Sequence, residues 1–332
     1  MISLIICTYE RSKALQRLLK SLQKQSLFPD EVLIIDGSHS DDTQAAIKKI
    51  NPGNLLYFRV DDHHRGLTKQ RNFGVKRVSE NSRIILFLDD DVILDKGYIE
   101  EIIKTYNLYP DALGVGGYIT NEVNWIEKND TPATYAEFQF DGWRRQLGRR
   151  YSLRKRFNLS PKANPGFMPE SSHGYPIHFL PPSGKVYPVE YFMGGVASYR
   201  AGLFKNLKFS SYFEGYGLYE DMDFCLRASK HGNLYVNTKA TLTHYHENSG
   251  RPNKYIYGKM VLRNGWYVWR IKYPDPSTRS IVKWHATEFL LFLVRLGNVF
   301  STKSKKEALT ESIGRLVGWW SLIWNSPNLQ KE

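Results

Sequence analysis

Short apolar runs alternate with amphipathic stretches over about the first 120 residues of the chain. The apolar runs cover residues 3–7, 31–36, 55–60, 84–88 and 113–118. Between the first two runs, leucines recur at helical spacing: Leu15, Leu18, Leu19 and Leu22. This alternation is typical of β-α units that feed a parallel sheet. The pattern therefore predicts an α/β fold in which helices flank a mostly parallel, Rossmann-like central sheet.

Polar residues mark the ends of four of these runs, at positions 8–11, 36–38, 61–64 and 89–91. In a doubly wound sheet, ligands bind beyond the carboxyl ends of the strands. We therefore expect a site at these strand ends. The sequence contains neither a G-x-G-x-x-G turn after its first strand nor a G-x-x-x-x-G-K-[ST] loop. A dinucleotide dehydrogenase and a P-loop NTPase would both lack their phosphate-binding device.

The pattern changes beyond residue 120. Residues 120–185 are rich in proline, which predicts a long, irregular, basic insertion. Apolar and glycine-rich segments resume over residues 186–250, so we expect one core domain over residues 1–250. Residues 251–332 are predicted to be a helical, basic, Trp-rich extension. Its two apolar stripes are Val282, Ala286, Phe289, Leu293, Leu296, Phe300 and Ile313, Leu316, Val317, Trp320, Trp324.

Composition narrows the class of protein. Of the 332 residues, 42% are hydrophobic and 24% are charged, as in globular rather than disordered or collagenous chains. Cys7 and Cys225 lie far apart within apolar runs, which favours reduced core residues over a disulfide framework. No basic segment precedes the first apolar run, and the run 289–294 is far shorter than the roughly 18–20 residues of a membrane span. We expect a cytoplasmic protein.

The net charge of +13 is regional. Residues 141–162 hold eight basic residues against one acidic residue, and residues 251–332 hold fourteen against five. Such regions favour an anionic partner, but no nucleic-acid motif accompanies them, so no nucleic acid is expected. One interpretation is peripheral attachment to an anionic membrane through interfacial tryptophans; the other is that the helices pack on the core domain. The tryptophans are Trp266, Trp269, Trp284, Trp319, Trp320 and Trp324.

Three consecutive carboxylates, Asp89, Asp90 and Asp91, end the apolar run 84–88. Like charges in a row repel each other, and a cation would neutralise them. Hard oxygen ligands of this kind suit Mg²⁺ or Mn²⁺. The alternative is a solvated acidic turn, which the preceding apolar strand disfavours.

Six short motifs come in the order expected of family 2 glycosyltransferases with the GT-A fold. They lie at residues 5–11, 34–38, 66–74, 89–91, 192–195 and 219–224. Over about residues 1–250 the chain therefore resembles this family. The resemblance implies a GT-A fold with a C-terminal helical extension, and transfer of a sugar from a nucleotide-diphosphate donor.

The resemblance assigns the donor nucleotide to several of these motifs. By this likeness, Asp36 accepts the N–H of a pyrimidine base, which favours UDP or dTDP while leaving GDP open. The family's pattern places residues 1–120 in the nucleotide-sugar-binding half. The other implied nucleotide-binding residues are Thr8, Tyr9, Arg11, Arg71, Asn72, Asp89 and Asp90.

The Asp triplet resembles the DXD motif of the family. This likeness implies that Asp91 binds Mn²⁺ or Mg²⁺, which would act as a Lewis acid on the departing diphosphate. A late histidine often completes the metal site in relatives. His244 fits that spacing better than His246, and either histidine could instead be a packed residue.

A second acidic cluster begins at Glu220. The resemblance implies an inverting reaction in which Asp221 is the general base and Glu220 orients the site or binds the acceptor. The alternative is an acid-rich helix N-terminus. Gly194, Gly195 and Asp223 are predicted to lie at the sugars, within an acceptor half that spans residues 186–250.

The expected partners follow from the same family likeness. They are a nucleotide-diphosphate sugar and a glycan or polyprenyl-diphosphate-linked acceptor in cell-surface polysaccharide synthesis, on the cytoplasmic face of the inner membrane. Two alternatives remain: a sugar-1-phosphate nucleotidyltransferase, and a noncatalytic scaffold that binds carbohydrate or membrane. The segment 7–12 lacks the glycines that the first would need, and the retained acids argue against the second.

Overall fold

A computed structural model of the chain describes residues 1–50, 54–127, 134–213, 215–247 and 252–329. Two compact units divide it: Met1–Val123 with Pro182–Arg251, and Asn124–Pro181 with Pro252–Glu332. In chain order the strands and helices are β1 (Ile2–Thr8), α1 (Ser12–Leu22), β2 (Glu31–Asp36), α2 (Asp42–Ile50), β3 (Leu55–Arg59), α3 (Leu67–Val75), β4 (Ile84–Asp89), β5 (Val92–Leu94), α4 (Tyr98–Leu108), β6 (Ala112–Ile119), β7 (Ile126–Glu127), β8 (Glu137–Phe140), β9 (Trp143–Gln146), α5 (Gly148–Arg156), β10 (Val186–Val189), β11 (Val196–Arg200), α6 (Glu220–Ala228), β12 (Asn233–His244), α7 (Lys254–Lys272), α8 (Thr278–Ser301) and α9 (Lys305–Trp324).

The described part of the first unit contains a nine-stranded sheet of order β10-β12-β6-β11-β4-β1-β2-β3, with β5 paired to β12. β1 runs parallel to β2 and β4, β2 to β3, and β12 to β6. β11 lies antiparallel to both of its neighbours, β4 and β6. Six of the nine strands therefore point the same way. The predicted α/β fold with a mostly parallel central sheet is confirmed.

The central strands are apolar because helices cover both faces of the sheet. The side chains of β2 are all buried, and those of β1 and β4 are mostly buried. Helix α1 buries its four leucines against this core, as the helical spacing predicted. The apolar runs of the sequence therefore correspond to β1, β2, β3, β4 and β6.

The shared direction of the strands gathers polar residues at one edge of the sheet. In the parallel register, Thr8 lies opposite Asp36, and Cys7 lies opposite Asp89. The short strand β5 then pairs with the end of β12 and places His244 opposite Val92. This pairing brings the late histidine beside the Asp triplet.

The second unit corrects the expectation of an irregular insertion. Strands β7, β9 and β8 form a three-stranded sheet in that order, and helix α5 follows β9 along the chain. These strands are only two to four residues long, so their period was too short to read from the sequence.

The insertion and the C-terminal segment belong to one unit: the Trp269 indole donates a hydrogen bond to the Glu170 carbonyl, and the Lys272 ammonium donates one to the Met168 carbonyl. The functional roles assigned to these segments stay predictions, and the predicted boundary at 250/251 lies outside the described residues.

Tryptophans form part of the core of this unit. Trp269 and Trp284 are fully buried with their rings stacked 5.8 Å apart, and Trp266 packs edge-on against Trp284. Burial of Trp269 and Trp284 leaves these two of the six predicted interfacial tryptophans without access to a membrane. Trp320 and Trp324 are exposed. Within the described residues, no helix has the length and hydropathy that crossing a membrane requires.

Helices α7 and α9 approach closely through glycines. A Cβ atom at Gly314 would overlap the carbonyl of Tyr255, and one at Gly258 would overlap the carbonyl of Glu311. Since the obstacles are backbone atoms, they cannot swing away.

We predict that Gly314→Ala lowers the free energy of unfolding by about 1–3 kcal/mol, because the added methyl group pushes α7 and α9 apart. The matched control is Gly297→Ala in α8, where the nearest atom lies 3.9 Å from the new Cβ. That change should raise stability by up to about 1 kcal/mol, since alanine is the better helix former. Chemical denaturation of both variants checks this, and equal effects would contradict the packing argument.

Candidate active site

The middle carboxylate of the triplet anchors the first strand-to-helix turn. Asp90 is buried, accepts a hydrogen bond from the Thr8 hydroxyl at 2.6 Å and pairs with the Arg11 guanidinium at 3.2 Å. Burial raises the pKa of Asp90 to about 7, although Arg11 and Thr8 oppose the shift. The structure thus brings together three predicted nucleotide-binding residues, with Asp90 holding the other two.

The third carboxylate, Asp91, lies beside His244. The Nε2 atom of His244 is 3.0 Å from Asp91 Oδ1, and the backbone N–H of Glu247 donates to Asp91 Oδ2 at 2.9 Å. Burial alone would raise the pKa of Asp91, but these hydrogen bonds and the Arg11 charge lower it to about 2. Burial alone would lower the pKa of His244, but its carboxylate neighbours raise it to about 10. The neighbouring carboxylates therefore favour the protonated form of the His244 imidazole.

Asp89, Asp91 and His244 could hold a metal ion, since each offers one ligand atom and the three atoms lie within 4.8 Å of one another. Two carboxylate oxygens and one imidazole nitrogen suit Mn²⁺, and the carboxylates also suit Mg²⁺. Sequence reasoning assigned Asp89 to the nucleotide, and the geometry adds it to the candidate metal ligands.

The two histidines occupy different surroundings. His246 is exposed, and its Nε2 lies 3.2 Å from Glu122 Oε1, whereas His244 is mostly buried beside Asp91. Glu122 also lies 3.7 Å from His244 Nδ1. Sequence reasoning missed Glu122, whose only signal is its position just after the apolar run 113–118. Glu122, His244 and His246 form a second group that could hold a cation.

The second acidic cluster opens helix α6. Asp221 accepts hydrogen bonds from the backbone N–H groups of Gly194 at 3.1 Å and Met222 at 2.7 Å. Burial raises the pKa of Asp221 despite these bonds. Glu220 is buried and accepts a hydrogen bond from Arg71 at 2.6 Å. Burial raises the pKa of Glu220 to about 8, although Arg71 opposes the shift.

Arg71 lies beneath the two acidic clusters. It is buried, and its guanidinium is 2.6 Å from Glu220 and 3.6 Å from Asp89. The side-chain amide of Asn72 donates a hydrogen bond to the Phe209 carbonyl at 2.8 Å and accepts one from the Phe209 N–H at 3.0 Å. Both residues therefore hold the protein together here, and their predicted role of closing over base and ribose stays a prediction.

Gly194 and Gly195 provide room for side chains of the site itself. A Cβ atom at Gly195 would overlap the Asp89 carboxylate, and one at Gly194 would lie 2.6 Å from the Arg71 guanidinium. The glycines therefore admit the acids and Arg71. The predicted close approach of a sugar at these glycines stays a prediction.

Asp223 differs from the expectation that it contacts sugar. It is fully buried and pairs with Arg227 at 2.6 Å, one helical turn further on. Residues 221 and 223 are two positions apart on α6, so their side chains point to nearly opposite faces of the helix. The structure therefore places Asp223 in the core, away from the site edge.

Asp36 lies at the same sheet edge but is fully buried. It accepts hydrogen bonds from the Ser38 N–H at 2.8 Å and from the Tyr57 hydroxyl at 2.8 Å. A base that reached Asp36 would have to share or displace the Tyr57 hydroxyl. Tyr9 is exposed and lies edge-on to His39, so its ring is available to a ligand.

The sequence profile of glycosyl transferase family 2 matches residues 3–172, and the chain belongs to this family. The chain is 23% identical over 129 residues to a glucosyl-dolichyl phosphate glucuronosyltransferase of Haloferax volcanii, covering 38% of this chain and 40% of that protein. It is 27% identical over 108 residues to a GalNAc(5)-diNAcBac-PP-undecaprenol β-1,3-glucosyltransferase of Campylobacter jejuni, covering 32% of this chain and 34% of that one. The matches thus span well under half of either relative.

The fold is also similar to that of a mannosyltransferase of Pyrobaculum calidifontis, solved with GDP-mannose and Mn²⁺. The TM-score is 0.53 at 12% identity, covering 98% of this chain and 88% of that one. The predicted family and GT-A fold are confirmed.

We predict effects of very different size for two aspartates of α6. Asp223→Asn breaks a buried ion pair and should lower the free energy of unfolding by about 3–5 kcal/mol. Asp221→Asn should change this free energy by less than about 1 kcal/mol. Folding raises the pKa of Asp221, so the ionised carboxylate contributes no stability at neutral pH that the substitution could remove. Thermal unfolding at neutral pH compares the two, and equal losses would contradict the assignment of Asp223 to the core.

Proposed function

We propose that the protein is a metal-dependent, inverting glycosyltransferase that moves a sugar from a nucleotide-diphosphate donor to a glycan or lipid-linked acceptor. One observation carries the proposal. The candidate metal ligands Asp89, Asp91 and His244 and the carboxylate of Asp221 lie at one sheet edge, joined by the adjacent glycines Gly194 and Gly195. A cation for the diphosphate and a base for the acceptor are the two functions such a transfer needs.

The donor nucleotide is assigned to the ends of β1 and β2. Arg11 supplies positive charge beside the triplet, Tyr9 offers an exposed ring, and Asp36 offers a carboxylate to a base N–H. This set favours UDP or dTDP. The Pyrobaculum enzyme was solved with GDP-mannose, so GDP belongs among the nucleotides to be tested.

The metal is assigned to Asp89, Asp91 and His244, with Mn²⁺ or Mg²⁺ as the ion. When bound, it supplies Lewis-acid stabilisation to the departing diphosphate. His244 must lose a proton before it can act as a ligand. Asp91 is ionised at neutral pH because its pKa is lowered to about 2.

Asp221 is assigned as the general base that removes a proton from the acceptor hydroxyl. Its burial raises its pKa, which brings its basicity closer to that needed at neutral pH. The Gly194 N–H fixes one carboxylate oxygen and so orients the group. Glu220, held by Arg71, is assigned to orient the site.

The acceptor is proposed to be a glycan carried on a lipid diphosphate, at the cytoplasmic face of an anionic membrane. Support comes from the two relatives, whose names specify dolichyl phosphate and undecaprenol substrates. The regional positive charge of the chain is consistent with such a surface.

We predict metal-dependent binding of one nucleoside diphosphate. Calorimetry with UDP, dTDP, GDP and CDP, each with and without Mn²⁺, should show one tight ligand whose affinity falls at least about tenfold without metal. Asp91→Ala should abolish the metal dependence. Asp275→Ala, which removes an exposed aspartate between α7 and α8, is the control. Failure of all four nucleotides to bind wild-type protein would favour a noncatalytic scaffold.

We predict that Asp221→Asn lowers kcat by about 10²–10⁴-fold while leaving nucleoside diphosphate affinity unchanged, because a base acts on the acceptor rather than on the donor. Release of nucleoside diphosphate from a donor sugar, followed with a polyprenyl-linked acceptor, measures the rate. Unaltered kcat in this variant would rule out Asp221 as the base.

A further inference from the structure

Helix α9 carries its large apolar side chains on its exposed side. Ile313, Leu316, Val317, Trp320 and Trp324 recur at three- and four-residue intervals and are all exposed, Trp320 by 57% and Trp324 by 81%. The opposite side is buried and holds small and charged residues: Ala308, Glu311, Ser312, Gly314 and Gly318. This is the reverse of a helix that packs its apolar face inward and presents charge to water.

The buried side of α9 is committed to other contacts. Gly314 and Gly318 are needed for the close approach to α7. Glu311 is buried and pairs with Arg295 of α8 at 2.8 Å and with Arg315 at 2.9 Å. Turning the apolar side inward would expose this ion network and insert large rings where only glycine fits. The apolar side of α9 is therefore held outward by the packing.

Helix α8 continues the same surface. Over residues 289–300 every side chain is partly or largely exposed, and Phe289 and Leu293 are among the exposed large apolar residues. The Phe289 ring lies 5.8 Å from the ring of Trp319 on α9, so the two stripes adjoin. We call this surface the outer apolar face and define it by Phe289, Leu293, Leu316, Val317, Trp320 and Trp324.

Charge indicates what covers this face. The second unit contains 22 Lys and Arg residues against 10 Asp and Glu residues, which is nearly all of the net charge of the chain. Lys303, Lys305 and Lys306 are exposed at the turn between α8 and α9, and Arg279 is exposed at the start of α8. A second copy would bring the same positive charge against itself, whereas an anionic surface attracts it. Indole rings favour the boundary between lipid headgroups and acyl chains.

We propose that the outer apolar face inserts into the interfacial layer of a membrane that contains anionic lipid, while the lysines at the α8–α9 turn contact headgroups. The inference deepens the proposed function by naming the surface that meets the membrane. The inference rests on the proposed function only for the biological purpose of membrane binding, because binding to the membrane itself needs neither donor nor metal.

Vesicle sedimentation of the full chain tests the proposal. The protein should bind vesicles of phosphatidylglycerol and phosphatidylcholine in equal parts, and should bind phosphatidylcholine alone at least about tenfold more weakly. The triple variant Val317→Gln, Trp320→Gln, Trp324→Gln should lose at least about tenfold in binding to the mixed vesicles. Since these side chains are exposed, the variant should fold as the wild type does.

Two further variants sharpen the result. Leu108→Gln changes an exposed apolar residue of the first unit and should bind vesicles normally. Replacing Lys303, Lys305 and Lys306 by Gln should weaken binding to the mixed vesicles and reduce its salt dependence. Normal binding by the triple Gln variant at positions 317, 320 and 324 would overturn the proposal. The proposal would also be overturned if the wild type bound no vesicles and instead formed a dimer, seen by sedimentation velocity, that the triple Gln variant dissociates.

Nucleoside diphosphate binding, measured on the same triple variant, separates the two proposals. Loss of vesicle binding with nucleotide binding retained supports the outer apolar face as a surface distinct from the donor site. Vesicle binding by a wild-type protein that binds no nucleotide would leave this inference standing while the proposed function fails.

Discussion

The buried guanidinium of Arg71 makes the acidic site possible. The charges of Asp89 and Asp221 help burial to raise the pKa of Glu220, and the charge of Asp89 helps burial to raise that of Asp221. A folded chain cannot bring such charges together without a counter-charge. Arg71 provides it, at 2.6 Å from Glu220 and 3.6 Å from Asp89. The rings of Phe87 and Phe209 lie within 6 Å of the guanidinium. Because Arg71 is buried, water screens its positive charge only weakly. The candidate metal ligand Asp89 and the acidic pair Glu220 and Asp221 thus share Arg71 as their buried positive charge.

Strand direction explains how residues from distant parts of the chain meet. β1, β2, β4 and β12 end at the same edge, and the short strand β5 fixes the last turn of β12 against the triplet. The backbone of Tyr245 also donates to the carbonyl of Asp91. His244 is therefore held by regular sheet pairing rather than by a free loop, which suits a ligand that must stay within reach of two carboxylates.

Much of this could be predicted from the sequence because its signals are local. The runs that form β1, β2 and β4 are apolar and end in polar residues. The hydrophobic pattern was therefore enough to predict both the α/β fold and the edge of the sheet at which the polar residues meet. Asp223 was misplaced because adjacency in sequence does not report which face of α6 a side chain occupies. The roles of Trp269 and Trp284 depend on packing between helices, which composition cannot reveal. The preference for His244 over His246 agrees with the position of His244 beside Asp91. That position depends on the pairing of β12 with β5, and β5 has only three residues, too few to show a pattern in the sequence.

The division of the chain has a consequence for the order of folding during synthesis. The second unit is assembled from Asn124–Pro181 and Pro252–Glu332, with the later strands of the first unit encoded between them. The ribosome therefore delivers the whole nine-stranded sheet, through β12, before the partners of Met168 and Glu170 on α7 exist. Until α7 is made, the described part of residues 124–181 can pack its own small cluster of Leu147, Tyr151, Tyr175 and Phe179 but lacks its partners on that helix. A nascent chain that stops after β12 would thus contain every strand of the nine-stranded sheet but only part of the second unit.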